Sequence, residues 1–550
     1  MSEGTITIDG REIPFEKGDT IIMAARRAGI EIPHYCWHPG LRAPASCRMC
    51  LVEIEPPPGR PAMMLDILAW DAEKNDYVTI KKPKLMPACQ MGCSDGMVVH
   101  NTESKEVEKA RAAVQEMLLL NHPVDCPICD QAGECSLQDN LVDHYDYDKR
   151  MVDEPLHKVK AVPFSDDIVY DGERCIRCTR CVRVSRDFAG DPVLSVRERG
   201  NHSEITVSPD RQLDHPYSLM TAHYCPVGAL TATHFRFRAR AWFLRSGPTL
   251  CQGCATGCNA YLDYDPRTNQ PYRFRPRENA EVNQFWMCDE GMLSYPEAQS
   301  GRLLTALVGG DDATMQEGLQ AAKKQLTGCE DEPERTAIVL SARHSNEDNF
   351  ALAVLGRQYL NVTDFYVTGR PAGEGDDILK SEDKNPNRAG VSQVAELVGI
   401  ESPRPFTELM EKLTKDSYRY VISLGSEIEV DGAAARNELL RLKGVVAICS
   451  HDGPLSNAAH IALPACSFAE VAGTYVNKDG IAQRTEPVLQ PLGSAYPAWQ
   501  IVVALGRAMG FDIDWQTRSD LELAMVTAAP PEGVDEATDE APAASEEVGS

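Results

Sequence analysis

HPVDCPICDQAGEC, residues 122–135, places one histidine and three cysteines in a single short segment. The preceding residues 103–121 carry apolar side chains at helical spacing, and Pro123 ends that predicted helix because the residue before a proline is steered out of the α region. Pro127 and Gly133 favour turns that let the three thiolates converge. Zinc readily takes one histidine and three cysteines, so a zinc knuckle and an iron–sulfur cluster both remain open here. The candidate ligands are His122, Cys126, Cys129 and Cys135.

Composition narrows the class of protein. The chain has 550 residues, 43% of them hydrophobic, which predicts several globular domains. Its formal net charge of −27 argues against nucleic acid or an anionic membrane surface as a partner and favours docking to proteins. The N-terminal MSEGTITIDG lacks a signal pattern and no apolar run is long enough to span a bilayer, so a cytoplasmic chain with no direct membrane span is expected. Nineteen cysteines in such a chain favour metal binding over disulfides.

The N-terminal region predicts a small β-rich domain. TITIDGREIPF, residues 5–15, alternates apolar and polar side chains around Asp9-Gly10, a dipeptide that favours a type I′ hairpin. A short helix, a cysteine loop and the strand LVEIE follow. This order resembles plant-type ferredoxin, which holds a [2Fe-2S] centre, although that family has a shorter first gap between cysteines. The pattern here is C-x10-C-x2-C-x38-C, formed by Cys36, Cys47, Cys50 and Cys89.

Counted along the chain, the Cys36 group is the first and the His122 group is the second. The third cysteine group begins at GERCIRCTRCVRVSRD. Three thiolates in seven residues suit three corners of a cubane, and the Cys-Pro pair of YCPVGAL resembles the bacterial ferredoxin signature in which a remote cysteine completes a cluster. Ser185 stands where a two-cluster ferredoxin would have another cysteine, so one cubane is expected. Arginines alternate with these cysteines, and their positive charge favours ionised thiolates and a higher reduction potential of the cluster. The same arginines could instead form a solvated basic face or a surface that docks to an acidic partner. The ligands are Cys175, Cys178, Cys181 and Cys225, and the arginines are Arg174, Arg177, Arg180, Arg183 and Arg186.

A fourth group, LCQGCATGCNA closed by FWMCDEG, has the spacing C-x2-C-x3-C-x29-C. It resembles the N-terminal [4Fe-4S] domain of molybdopterin oxidoreductases, with a zinc ribbon as the alternative. Its ligands are Cys251, Cys254, Cys258 and Cys288.

Beyond residue 300, short apolar runs (TAIVLSA, DFYVTG, YRYVISLG and GVVAIC) alternate with helical patterns, which predicts a parallel α/β layer structure. The stretch 460–483 resembles an element of molybdopterin oxidoreductases through His460, Pro464, Glu470, Gly473, Thr474, Asn477, Gly480 and Gln483. The region is far shorter than those enzymes use to enclose two pterins, so a degenerate domain without molybdopterin is expected. Cys93 is predicted to be a packed thiol. Cys329, Cys449 and Cys466 are predicted to be core or surface thiols, with a metal-ligand role for one of these three as the alternative.

The order of the four groups resembles the large iron–sulfur subunit of respiratory complex I, NADH:quinone oxidoreductase. This resemblance implies one [2Fe-2S] cluster on the Cys36 group, with Cys89 rather than Cys93 as its fourth ligand, and three [4Fe-4S] clusters on the other groups. The implied fold class is multidomain α+β and α/β. The predicted domains are 1–95 (β-grasp 2Fe-2S ferredoxin-like), 96–145 (4Fe-4S with one histidine and three cysteines), 146–243 (bacterial ferredoxin-like 4Fe-4S), 244–300 (molybdopterin-oxidoreductase-type 4Fe-4S), 301–526 (degenerate molybdopterin-oxidoreductase-like α/β) and 527–550 (disordered acidic tail).

The same resemblance implies a function and partners. Such a subunit has no catalytic acid, base or nucleophile and relays electrons from NADH and FMN toward quinone. Its implied partners are the FMN/NADH-binding flavoprotein subunit, a small 2Fe-2S subunit and the quinone-module subunits, at the cytoplasmic face of the inner membrane, where it is peripheral. Two alternatives remain: the electron-transfer subunit of a soluble NAD-linked formate dehydrogenase or hydrogenase, and a zinc-stapled scaffold.

Overall fold

The computed structural model describes residues 4–145, 150, 152, 154–415 and 417–528. Within them the chain forms two compact units. The first contains residues 4–299 with 374–382 and 488–490, and the second contains residues 300–373, 383–487 and 491–528. Of the tail predicted at 527–550, only Thr527 and Ala528 are described, and they end the last helix. The rest of that prediction lies outside the described residues.

The first unit opens with a five-stranded sheet. Asp9 and Gly10 both have positive φ, as the predicted type I′ hairpin requires, and the hairpin pairs its strands antiparallel. The strand order is β2-β1-β7-β3-β6, with β1 and β7 parallel. Elements of this region are β1 (Gly4–Ile8), β2 (Arg11–Phe15), α1 (Ile21–Arg27), β3 (Leu51–Glu55), β4 (Met64–Asp71), β5 (Asp76–Pro83), β6 (Met86–Pro87) and β7 (Met97–His100).

The long excursion before Cys89 is a hairpin that the sequence left unassigned. Strands β4 and β5 pair over their whole length and form a two-stranded sheet of their own. Trp70 and Tyr77 pair across it edge to face, with ring centroids 5.3 Å apart, and both side chains are exposed.

Two helices carry the histidine-containing segment: α2 (Lys105–Leu119) and α3 (Ser136–His144). Ser104 caps α2 by accepting the amide hydrogen of Val107, and Glu106 and Glu108 suit the positive end of the helix. Arg111 is buried and donates to Asn101 Oδ1 at 2.6 Å, which fastens α2 beside the N-terminal sheet. The chain leaves α2 three residues before His122.

Small sheets and short helices frame the remaining cysteines of the first unit. Strands β12, β9 and β8 form one sheet, β10 and β11 a hairpin, and β13, β14 and β15 an antiparallel sheet. The elements are β8 (Val162–Pro163), β9 (Ile168–Tyr170), α4 (Arg180–Arg183), β10 (Leu194–Arg197), β11 (Glu204–Val207), α5 (Leu219–His223), β12 (Leu230–Ala232), β13 (Arg245–Leu250), β14 (Asn259–Asp265), β15 (Gln270–Pro276) and α6 (Asp289–Leu293).

The second unit is an α/β layer structure. Its eight-stranded sheet has the order β17-β16-β23-β22-β21-β18-β19-β20 and is parallel from β23 to β20, with β16 antiparallel to both of its neighbours. The elements are β16 (Ala306–Val308), β17 (Asp311–Ala313), α7 (Met315–Gln325), β18 (Thr336–Ser341), α8 (Asn346–Val354), β19 (Phe365–Thr368), α9 (Arg388–Leu397), β20 (Arg404–Pro405), α10 (Phe406–Leu413), β21 (Tyr420–Leu424), α11 (Gly432–Leu439), β22 (Gly444–Cys449), β23 (Ile461–Pro464), β24 (Gly473–Val476), β25 (Ala482–Thr485), α12 (Ala498–Met509) and α13 (Arg518–Ala528).

The four apolar runs noted in the sequence are the parallel strands β18, β19, β21 and β22, and nearly all their side chains are buried. Such continuous apolar strands are expected in a parallel sheet covered on both faces. The predicted α+β and α/β fold class is therefore confirmed. Within the described residues, no helix combines the length and apolar character that crossing a membrane requires.

Candidate iron–sulfur sites

All sixteen predicted ligands lie in the first unit. Across the described parts of the chain, no three His, Cys, Asp or Glu side chains form an arrangement that could hold a metal ion. The four groups differ from one another in the burial of their cysteines and in the contacts that their sulfurs make.

The first group lies in the loop before β3 and in the turn after β6. Cys36, Cys50 and Cys89 are buried and Cys47 is partly exposed. A hydrogen bond from the Cys47 thiol lowers the pKa of Cys36 to about 5, and the corresponding contact with Cys50 lowers the pKa of Cys89. Negative charge on Cys36 or Cys47 would raise the pKa of Cys89. The Cys36–Cys47 pair therefore lies within electrostatic reach of the Cys50–Cys89 pair.

Cys93 packs against the apolar core that contains Cys50 and Cys89, but its sulfur interacts with different charges. The charges that act on its sulfur come from Asp19 and Arg27, and burial raises its pKa to about 11. Its amide donates to the Asp19 carbonyl at 3.0 Å. This arrangement favours Cys89 over Cys93 as the fourth ligand.

The second group is the most exposed of the four. Cys126 is exposed, Cys129 is half-buried and Cys135 is buried. The sulfur of Cys129 interacts electrostatically with Cys126 and with Cys135, and burial raises the pKa of Cys135 to about 11. Cys129 therefore lies within electrostatic reach of the other two sulfurs, although the three do not form a metal-binding arrangement in the described residues.

His122 contributes a neutral imidazole. Burial, with the positive charge of Arg174, lowers the pKa of the ring to about 4. Its Nδ1 atom is buried and has no hydrogen-bond partner among the described residues. A buried ring nitrogen without a partner costs free energy unless something binds it, so this atom suits a metal ligand. The charges that act on the imidazole come from Arg174 and Asp125 and not from the three cysteines. The electrostatics therefore do not link His122 to the cysteines of its group.

The third group lines one small cavity with Tyr170, Ile205 and Val227. Arg177 and Thr179 both have positive φ, which turns the chain between successive cysteines before α4 begins. The amide of Arg177 donates to Cys175 Sγ at 3.4 Å. Burial raises the pKa of Cys181, and charge on any of its three partner cysteines raises it further, so all four sulfurs are close together: Cys175, Cys178, Cys181 and Cys225.

The fourth group is buried throughout, with each cysteine 5–8% exposed. The Gly253 amide donates to Cys251 Sγ at 3.4 Å, and the Gly291 amide donates to Cys288 Sγ at 3.3 Å. Burial raises the pKa of Cys258, and charge on the other three raises it further: Cys251, Cys254 and Cys288.

Two glycines beside the sulfurs were not found from the sequence. A Cβ at Gly228 would lie 2.2 Å from Cys129 Sγ, and one at Gly291 would lie 3.0 Å from Cys251 Sγ. Both positions therefore need a residue without a side chain. Gly228 follows the Cys-Pro pair of the third group, and no local signal connects it with Cys129, because that contact is made across the fold.

The donor set fits iron–sulfur clusters. It consists of thiols and one neutral imidazole, and backbone amides point at three of the sulfurs, where they would stabilise thiolate charge. The cysteines of the second unit do not belong to such a donor set. Cys329, Cys449 and Cys466 are each buried, and burial raises the pKa of each to about 12.

Known families match the chain in the same order. Four family models cover successive parts: "2Fe-2S iron-sulfur cluster binding domain" over 3–104, "NADH-ubiquinone oxidoreductase-G iron-sulfur binding region" over 111–147, "NADH-quinone oxidoreductase subunit 3, ferredoxin-like domain" over 165–231 and "Molybdopterin oxidoreductase" over 375–508. Domains of the 2Fe-2S and 4Fe-4S types are therefore present, followed by a molybdopterin-oxidoreductase-like domain.

Individual relatives agree with these models. The G subunit of NADH-quinone oxidoreductase from Streptomyces coelicolor is 36% identical over 373 residues, which are 66% of this chain and 41% of that protein. NADH-quinone oxidoreductase subunit 3 of Thermus thermophilus is 36% identical over 342 residues, 58% of this chain and 42% of that protein. A solved chain of an NAD+-reducing [NiFe]-hydrogenase is 28% identical with a TM-score of 0.35, covering 43% of this chain and 91% of that one.

The chain thus spans less than half the length of the curated relatives it matches. The resemblance predicted from the order of the cysteine groups is confirmed. Over about two thirds of its length, this chain is similar to the G subunit of NADH-quinone oxidoreductase.

Proposed function

We propose that this chain is the electron-transferring iron–sulfur subunit of an NADH:quinone oxidoreductase. The observation that carries the proposal is the series of four cysteine groups in the first unit, three of which lie within matched iron–sulfur family models. Cys36, Cys47, Cys50 and Cys89 would hold a [2Fe-2S] cluster. The groups of His122, Cys175 and Cys251 would each hold a [4Fe-4S] cluster.

The chain's own residues prepare these sites. Burial of the third and fourth groups excludes water, and backbone amides at Gly253 and Gly291 donate to sulfur, which stabilises negative charge there. The neutral imidazole of His122 brings less negative charge than a thiolate and so favours a higher potential at the second site. Bound iron–sulfur clusters supply one-electron transfer. The protein needs no general acid, base or nucleophile for that role.

The partners and location belong to the proposal too. Electrons would arrive from an FMN- and NADH-binding flavoprotein subunit, with a small 2Fe-2S subunit beside it, and leave toward quinone-module subunits. The chain would be a peripheral subunit at the cytoplasmic face of the inner membrane. Its acidic net charge of −27 suits protein partners better than a direct membrane contact.

The second unit is proposed to act as a scaffold without molybdopterin. Polar residues of the molybdopterin-like stretch are engaged inside the unit itself. Glu470 is fully buried against Arg302 at 2.6 Å, and the Thr474 amide and hydroxyl both donate to Glu347 at 2.8 Å. These contacts show that residues of this stretch stabilise the fold of the second unit.

Elemental analysis tests both proposals. Protein purified without oxygen should contain about fourteen iron atoms per chain and matching acid-labile sulfide. Clearly fewer iron atoms, with zinc making up the difference, would show a zinc-stapled scaffold instead. Stoichiometric molybdenum or tungsten would overturn the scaffold role of the second unit and support a formate dehydrogenase.

A further inference from the structure

Arg183, the last residue of α4, lies in the third cysteine segment and is only 5% exposed. Burying a guanidinium is costly unless its N–H groups find acceptors. Here all three nitrogens do. Its acceptors come from two loops that are far apart in sequence.

Two of the bonds reach the loop of the first cysteine group. Arg183 Nη2 donates to the carbonyl of Cys36 at 2.5 Å, and Nη1 donates to the carbonyl of Arg42 at 2.8 Å. The two others stay in the third group: Nη2 donates to the carbonyl of Cys178 at 3.2 Å, and Nε donates to that of Thr179 at 3.2 Å. One nitrogen thus joins the backbones of two proposed cluster ligands, Cys36 and Cys178.

Arg180 lies three residues before Arg183, and its guanidinium also donates to backbone carbonyls of both segments. Its Nη2 donates to the carbonyl of Trp37 at 2.6 Å, and its Nη1 donates to that of Tyr224 at 3.4 Å. Trp37 follows Cys36, and Tyr224 precedes the fourth ligand of the third group. Both arginines therefore clamp the first loop onto the third group.

The acceptors in all these bonds are neutral carbonyls, so the bonds themselves do not neutralise Arg183. Its positive charge also acts on the nearby Asp187 carboxylate, whose pKa Arg186 and Arg183 both lower. Arginine stays charged at any physiological pH. A cation between two centres stabilises their reduced, more negative forms and raises both potentials. Its rigid fork also sets the separation of the two loops, and the rate of electron tunnelling falls steeply with separation.

From this geometry we infer that Arg183 is a positioning residue that couples the first and third centres: it sets their separation and raises both of their potentials. The inference rests on the proposed function, because it requires clusters at both groups. Arg180 acts as a second clamp on the same two loops.

Three variants of the intact complex test this role. Arg183→Gln removes the charge and the fork, and Arg183→Lys keeps the charge but loses the fork. Arg186→Gln is the matched control, because Arg186 lies three residues further on, has a side chain 55% exposed and pairs with Asp187. Midpoint potentials of all four centres are measured by redox titration with paramagnetic resonance, and the magnetic interaction of the first and third centres is measured in the same samples.

In Arg183→Gln we expect the first and third potentials to fall and the second and fourth to stay unchanged. In Arg183→Lys we expect both potentials near those of the wild type but an altered magnetic interaction, since lysine cannot bridge two loops with a planar fork. The control should match the wild type in every measurement.

The inference is overturned if Arg183→Gln assembles with both potentials and the magnetic interaction unchanged. Should that variant fail to assemble, Arg183→Lys decides, and a magnetic interaction identical to the wild type overturns the inference. These results differ from failure of the proposed function, which would appear as missing clusters in the wild-type protein.

Discussion

Gly228 offers a sharp test of the second site, because its substitution acts on one sulfur. An alanine Cβ there would lie 2.2 Å from Cys129 Sγ and 3.3 Å from the Cβ of Gln131. Non-bonded heavy atoms settle at about 3.5–4.0 Å, so the sulfur must retreat by more than about 1 Å. Overpacking of this kind typically costs about 1–3 kcal/mol, which a protein of this size can survive. The displaced atom, however, is a proposed ligand.

We therefore expect Gly228→Ala to fold but to lose the second cluster, with iron falling by about four atoms per chain and one paramagnetic resonance signal missing. Gly92→Ala is the matched control, because its new Cβ would meet nothing closer than the Asp19 carbonyl at 3.9 Å. The control should keep all four clusters. A Gly228→Ala protein with full iron content and an unchanged second signal would refute the reasoning that Cys129 is held as a ligand against this glycine.

Four further substitutions at three positions probe other parts of the molecule. His122→Ala should remove the second cluster's resonance signal and slow electron flow from NADH to quinone, while His122→Cys should keep a cluster with a lower potential; an alanine variant with all four signals unchanged would exclude His122 as a ligand. Gly291→Ala, whose Cβ would lie 3.0 Å from Cys251 Sγ, should disturb the fourth signal alone, and disturbance of the other three would argue for general misfolding. Arg302→Met removes the cation from Glu470, whose side chain is 0% exposed, and should lower the free energy of unfolding by about 3–5 kcal/mol without changing iron content; a loss below about 1 kcal/mol by chemical denaturation would contradict this.

The sequence by itself predicted the candidate ligands and determined the type of most elements. Ligand spacing is local, so groups such as Cys175, Cys178 and Cys181 can be identified without a fold. The Asp9-Gly10 hairpin and the buried parallel strands were equally readable, because turn conformation and continuous apolar runs depend on neighbouring residues. The order of the four groups then indicated the relatives that the chain matches.

Only the tertiary structure decided what surrounds each site. Arg183 bonds to Cys36, 147 residues away, and Gly228 packs against Cys129, which is also distant in sequence. The β4–β5 hairpin and the antiparallel placement of β16 were also absent from the sequence patterns. Periodicity reports which face of an element is apolar, but not which distant loop will cover it. Those pairings depend on how the whole chain closes its loops and packs its core, and that information is not contained in any local stretch.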